Sequence, residues 1–106
     1  MVSFEDFKKL EIKIARIKEV NDHPRADRLY VLIVDLGDKT KQIVAGIRNF
    51  YKKEDLVGRQ IVVIDNLEPA VLRGVESQGM LLASSDDKGI SVLMPDRDVA
   101  LGSIVK

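Results

Sequence analysis

Apolar residues along the chain recur in short alternating or continuous runs, the pattern of strands rather than of long helices. From Glu11 the positions Ile12, Ile14, Ile17 and Val20 alternate with polar residues, but the alternation slips once. That slip predicts a first strand that bends or carries a bulge, the device by which small barrels begin to close. Residues 21–27, NDHPRAD, hold Asn, Asp and Pro and predict a loop, whereas residues 29–36 are nearly all apolar and predict a buried second strand. Gly37-Asp38 makes a turn before a third strand over 41–45, most easily paired antiparallel with the second, and Gly46 ends it. Residues 50–56, FYKKEDL, have helical spacing with Gly58 placed as a C-terminal cap, so a helical turn links strands three and four. The fourth strand covers 59–66, the fifth 80–84, and Asp86-Asp87-Lys88-Gly89 turns into another over 90–94. Ser3 with Glu5 and Asp6 marks one short capped helix at the N-terminus, and 101–105 adds a last short strand.

Five strands, a helix between the third and fourth and a bent first strand predict an all-β OB-fold barrel with a short N-terminal helix and a C-terminal strand extension. The expected organisation is one domain over 1–106, the barrel occupying about 11–84 and the extension about 90–106. In that fold the loops joining strands one to two and four to five flank the ligand face and bind oligonucleotides or oligosaccharides. Here they are HPRADR and NLEPAVLRGVESQG. The second interrupts two apolar strands with Arg73, Gly74, Glu76, Ser77, Gln78 and Gly79, more polar residues than a plain turn needs.

Composition narrows the chemistry. Isoleucine and valine supply 23 residues against three Phe, two Tyr and no Trp, which favours a β-branched core. Without cysteine, and with His23 as the one histidine, thiolate or zinc sites are not expected, and no cofactor is implied. No apolar run reaches the length of a membrane span, and Glu5 and Asp6 stand where a signal peptide carries cationic charge, so a cytoplasmic protein is expected. Seventeen basic and seventeen acidic residues cancel, but residues 1–60 hold 13 basic and 10 acidic ones and residues 61–106 hold 4 and 7. Nucleic-acid binding must therefore rest on local placement of charge, not on bulk attraction.

Residues 7–12 (FKKLEI), 23–29 (HPRADRL), 34–37 (VDLG), 42–47 (QIVAGI), 66–69 (NLEP) and 72–83 (LRGVESQGMLLA) closely resemble the tRNA-binding domain family. That family includes the C-terminal domain of many methionyl-tRNA synthetases, stand-alone dimeric structure-specific tRNA-binding proteins and endothelial monocyte-activating polypeptide II. The resemblance runs in order over nearly the whole chain. It implies a module that recognises tRNA by shape at its outer corner, a homodimer built partly through the segment after the barrel, and a role beside a methionyl-tRNA synthetase catalytic chain, in cis or in trans. A chain beginning at Met1 without a catalytic domain is then a free protein of that kind or an excised domain. By position, the implied tRNA-contacting residues are Asn66, Arg73, Ser77 and Met80, with Gln78 and Gly79 between them. Where many relatives carry basic residues, this chain has Glu68, Ala70 and Val71.

The residue types suit that task. A guanidinium at Arg73 can pair bidentately with a phosphate or stack on a base, Asn66, Ser77 and Gln78 offer hydrogen bonds to sugar or base edges, and Met80 offers an adaptable apolar surface. Gly74 and Gly79 let a ligand backbone approach closely. The plainer alternatives are that the glycines serve turn geometry, that Met80 opens the core side of strand five and that Arg73 pairs with Glu76. In the first loop Pro24 and Asp27 suit an architectural corner, with Arg25 and Arg28 as ligand contacts and His23 as a structural or solvated ring. Lys52 and Lys53, with Lys39 and Lys41, are secondary phosphate candidates against the reading of a solvated charged surface.

An enzyme is not expected, because the chain has no cysteine nucleophile, no phosphate-binding Gly-rich loop between strand and helix, and no carboxylate pair spaced for acid–base work. The alternatives are a dimerisation or docking module, its post-barrel strand adding to a partner's sheet edge, and a chaperone-like peptide-binding protein.

Overall fold

The structure, a computed structural model, describes residues 1–106. Ser3 caps α1 (Phe4–Lys8), its hydroxyl accepting from the Asp6 N–H at 3.1 Å, and the acidic first turn complements the helix dipole. β1 (Ile12–Asp22) follows, and the slip in its alternation is a register shift between Ile17 and Glu19. β2 (Tyr30–Asp35) and β3 (Thr40–Ala45) form an antiparallel hairpin beside the second half of β1. The helical turn α2 (Lys53–Leu56) is shorter than the 50–56 spacing suggested and drops the fully buried Leu56 against the barrel. Gly58, at φ +88°, turns the chain out of it and donates to the Ile17 carbonyl at 2.8 Å, just at the bulge. β4 (Gln60–Ile64) then pairs with the first half of β1, so that the bend in β1 lets one strand serve two neighbours.

The polar interruption between strands four and five is itself folded. β5 (Ala70–Leu72) and β6 (Val75–Ser77) form a hairpin joined by Arg73-Gly74, and β7 (Met80–Leu81) returns to pair with β4. The sheet order β3-β2-β1-β4-β7 is that of a nearly closed five-stranded OB-like barrel. Closure uses side chains in place of a complete ladder: Ser77 Oγ accepts from the Val44 N–H at 3.0 Å, and Gln78 Oε1 accepts from the Gln42 N–H at 2.8 Å.

The strand expected over 80–84 breaks at Leu82, whose N–H donates to Val62 in the barrel while its carbonyl accepts from Leu93 outside it. The chain thereby leaves the barrel as β8 (Ala83–Asp86), paired with β9 (Gly89–Val92). The tail returns along β1 through Ile14 N–H to Ser103, Gly102 N–H to Ile14 and Val105 N–H to Ile12, at 2.8–3.0 Å. Gln60 fixes its approach by bonding both the N–H and the carbonyl of Val99. Inside, Ile17, Leu32, Val34, Ile43, Ile61 and Val63 are almost fully enclosed, each stabilising the fold by roughly 1.5–3 kcal/mol. No helix is long and apolar enough to cross a membrane.

Candidate nucleic-acid interface

The β5–β6 hairpin has a two-residue loop in which both residues take positive φ, Arg73 at 52° and Gly74 at 87°. That is the φ pattern of a type I′ turn, whose twist matches that of the flanking strands but which favours Asn-Gly over Arg-Gly. Arginine there is strained by roughly 1 kcal/mol and is held in place by the first loop. Arg25 Nε donates to the Arg73 carbonyl and Arg73 Nη2 donates to the Arg25 carbonyl, each at 3.2 Å. Glycine at 74 is required by its φ, and a side chain there would also push the Arg25 guanidinium out of its place.

His23 makes the joint beneath them. Its ring is buried, with Nε2 2.9 Å from the Leu72 carbonyl and Nδ1 3.0 Å from the Arg25 main-chain nitrogen. An N–H can only donate and a carbonyl only accept, so Nδ1 is bare and Nε2 carries the hydrogen. Pro24 and the Leu29 N–H bond to Ala26 shape the rest of the corner.

Together the two loops enclose an open pocket of about 440 Å³ lined by Arg25, Ala26, Asp27, Arg28, Leu29 and Arg73. The Arg28 side chain makes no hydrogen bond or ion pair within the protein, and Arg25 and Arg73 each keep donors to spare. Three guanidinium groups here face the single carboxylate of Asp27, a donor set whose chemistry suits a phosphate-bearing ligand. The Leu29 side chain lies within 3.8 Å of where a Cβ on Gly46 would stand, and Gly46 belongs to a second, apolar groove of about 410 Å³ between the end of β3 and the chain at 80–83. Met80, 46 % exposed, stands on that groove with Val44, Ile47 and Ile90. Cationic pocket and apolar groove thus adjoin.

The other residues singled out in the sequence have different placements. Asn66 is exposed, but its amide bridges the Glu11 N–H and the Lys9 carbonyl, tying the hairpin's root to the end of α1. Ser77 is buried, its hydroxyl taken up by Val44 N–H and the Gly79 carbonyl. Gln78 holds β3 through Gln42 and also donates to Glu76, so Glu76 is paired with Gln78 and not with Arg73. A Cβ on Gly79 would stand 2.9 Å from the Ile64 carbonyl, which explains that glycine by packing. Lys53 pairs with Asp22, which Arg48 also holds, while Lys52 is exposed at the start of α2.

Lys41 is drawn into a cluster that the sequence reading missed. Asp65, buried at the end of β4, is surrounded by Lys13 at 2.8 Å, Lys39 at 2.9 Å and Lys41 at 2.6 Å. Lys41 also donates to the Asp65 main-chain carbonyl. Burial pushes the Asp65 carboxyl up, but the hydrogen bonds from the three lysines outweigh it and hold the group well below the usual carboxylate range. Lys13 is raised in turn by its bond to Asp65, against the effect of its own burial. An aspartate closing the apolar run IVVI was the one available signal.

A model of the family described as "Putative tRNA binding domain" matches residues 12–104. The methionine–tRNA ligase of Thermococcus kodakarensis is 56 % identical over 105 residues, 99 % of this chain and 14 % of that protein. That of Nanoarchaeum equitans is 49 % identical over 106 residues, again covering 14 % of the longer chain. The chain thus spans about one seventh of the curated relatives it matches. Among solved structures, the methionyl-tRNA synthetase related protein of Pyrococcus horikoshii superposes with a TM-score of 0.93 at 31 % identity, covering 100 % of this chain and 98 % of that one. The CsaA chaperone of Picrophilus torridus gives 0.93 at 30 % identity, with both chains covered completely. A match from the first barrel strand to the returning tail, joined to close structural likeness over whole chains, establishes that this chain belongs to the tRNA-binding domain family.

Proposed function

We propose that residues 1–106 form one non-catalytic tRNA-binding unit that reads tRNA by shape and serves a methionyl-tRNA synthetase, in cis or in trans. The observation that carries this reading is the pocket in which Arg25, Arg28 and Arg73 converge from two interlocked loops. Guanidinium groups gathered at one corner, two of them interlocked, favour a particular path of phosphates, which differs between a folded tRNA and a straight duplex. The adjoining groove at Met80 suits a base that is splayed out of its stack. In this reading Arg25, Arg28, Arg73 and Met80 face the RNA, while Asn66, Ser77, Gln78 and Gly79 chiefly hold the surface in shape. Lys41, Lys52 and Lys53 contribute to the surrounding potential. Local placement of cations answers the neutral net charge.

A homodimer is part of the proposal. Leu93, Met94 and Ile104 are exposed on the segment after the barrel, an apolar surface suited to a second copy. Light scattering at micromolar concentration tests it, and a monomeric mass would count against it.

The test of the function is a titration with folded tRNA and with an RNA duplex of similar length at several salt concentrations, for the wild type and Arg73→Ala. Preference for tRNA, weakening with salt and a loss of about tenfold or more in the variant support a shape-reading site. Equal weak binding of both RNAs, unchanged in Arg73→Ala, would favour a second reading suggested by the likeness to CsaA chaperones. There the apolar groove beside Met80 would take an extended, unfolded peptide.

A further inference from the structure

The corner is built over a buried imidazole, that of His23. We propose that His23 is a positioning residue of the tRNA site: its neutral ring latches the hairpin loop to the first loop, and its protonation releases the latch. The inference rests on reading the arginine corner as the tRNA site.

His23 is the only side chain that joins the two loops from below, donating from Nε2 to Leu72 while accepting at Nδ1 from the Arg25 main chain. The residues it holds are those next to Arg73 and Arg25 themselves, which exchange hydrogen bonds across the same joint. Adding a proton places an N–H at Nδ1 against the N–H of Arg25, so an acceptor is replaced by a clash of donors in a buried site. It also adds a third positive charge beside the two arginines. The charged groups on the elements packed about the ring are Arg25, Asp27 and Arg28 on its own loop, Arg48 bonded to that loop at Ala26, Asp22 at the end of β1, and Arg73 and Glu76 on the hairpin. None of the carboxylates pairs with the ring, and Asp22 is engaged by Arg48 and Lys53. Relief comes from moving the Arg25 main chain away, which carries off both partners of Arg73.

The sign of the effect separates this latch from ordinary electrostatics. A protein that only gains positive charge on acidification binds RNA more tightly. Release of the latch makes binding weaker.

Because the chain has one histidine, the ring signals in NMR report its protonation without ambiguity. The experiment titrates the full chain from about pH 8 to about pH 5, the span in which an imidazole changes charge, following the His23 ring, the amides of Arg73 and Gly74, and tRNA affinity. The expected result is a neutral ring protonated at Nε2 at the upper end, loop amides that shift with the ring's own midpoint, and a Kd for tRNA that rises about tenfold across it. His23→Gln keeps a donor able to reach Leu72 but gives up the acceptor for the Arg25 N–H and does not titrate, so it binds more weakly than the wild type near pH 8 and its profile is flat. His23→Asn keeps an acceptor for the Arg25 N–H but cannot cross to Leu72, and binds about tenfold more weakly at every pH. Coincident profiles for the wild type and His23→Gln, or a ring that titrates without moving the Arg73 and Gly74 amides, would overturn the latch. Absence of tRNA binding at every pH overturns the function while the coupling of ring and loop amides still decides the latch.

Discussion

Arg25 and Arg73 hold one another by exchange, each guanidinium donating to the other's main-chain carbonyl at 3.2 Å. The arrangement places two like charges side by side on exposed loops, a repulsion that water and salt largely screen. Each group uses one of five donors for its neighbour and keeps others unpaired within the protein. In the proposed site a phosphate bound between them would remove the repulsion and fill open donors, and so would stabilise the corner.

The strain at Arg73 yields a test of this division of labour. Asn accepts positive φ more readily than Arg or Ala, and Asn-Gly is the favoured pair for this turn. Arg73→Asn should therefore unfold in urea at a higher midpoint than Arg73→Ala, by an amount equal to about 0.5–1 kcal/mol, while the two bind tRNA equally poorly. Equal stability would show that the hairpin does not demand left-handed backbone at this position.

Ser77 is the converse case, a residue whose loss should be felt first in stability. Ser77→Ala leaves the buried Val44 N–H without its acceptor and the Gly79 carbonyl without a donor at the seam where the barrel closes. The expected cost is about 1–3 kcal/mol in denaturant unfolding. Binding of tRNA, measured where the variant is fully folded, should fall less than for Arg73→Ala. A loss of affinity without loss of stability would make the hydroxyl a direct RNA contact.

The barrel was legible because burial imposes alternation: Ile12, Ile14, Ile17 and Val20 announced both β1 and its bulge, and the nearly all-apolar run at 29–36 announced β2. The division of the polar loop into frame and contact was not. Ser77 and Gln78 read as free hydrogen-bonding groups because nothing in a linear pattern shows that β3, more than thirty residues earlier, presents unpaired N–H groups to them. The hairpin was hidden for a related reason: Arg-Gly is a weak turn signal, and the positive φ of Arg73 is sustained by Arg25 from another loop. His23 could be weighed as a structural ring, but its two partners lie on different loops and only the fold brings them together. Likewise Lys13 is far in sequence from Lys39 and Lys41, and all three look like ordinary surface charge until β1, the β2–β3 turn and β3 carry them to Asp65.

That cluster sets the response of the fold to acid. The Asp65 carboxyl lies below its ordinary value of 3.8 in the folded chain, so the stabilisation it provides is complete above that value and is lost as pH falls below it. Lys13 has the opposite sense: raised above 10.5, it stabilises at lower pH and ceases to do so as pH rises through its folded value. Asp65→Asn removes the anion and leaves three ammonium groups facing one another. The loss at neutral pH should be about 2–3 kcal/mol, below the 3–5 kcal/mol of a fully buried pair because Lys39 remains solvated. Urea midpoints measured near pH 7 and near pH 3 check both parts, since the variant should lose less stability than the wild type between them. An equal loss in both would place the acid sensitivity elsewhere.

The sharpest separation of contact from frame is between neighbours on one loop. The Arg28 side chain lines the pocket but bonds nothing in the protein, whereas that of Arg25 holds the Arg73 carbonyl as well as lining the pocket. Arg28→Ala should leave the unfolding midpoint unchanged, weaken tRNA binding and lower the slope of log affinity against log salt by about one, the signature of a single lost phosphate contact. Arg25→Ala should lower the slope as much but weaken binding further, because Arg73 loses its support, and should also destabilise the fold by about 0.5–1.5 kcal/mol. A pair of variants identical in affinity, slope and stability would mean that the exchange between Arg25 and Arg73 contributes nothing to the bound state. An unchanged slope in Arg28→Ala would move the phosphate path away from this corner altogether.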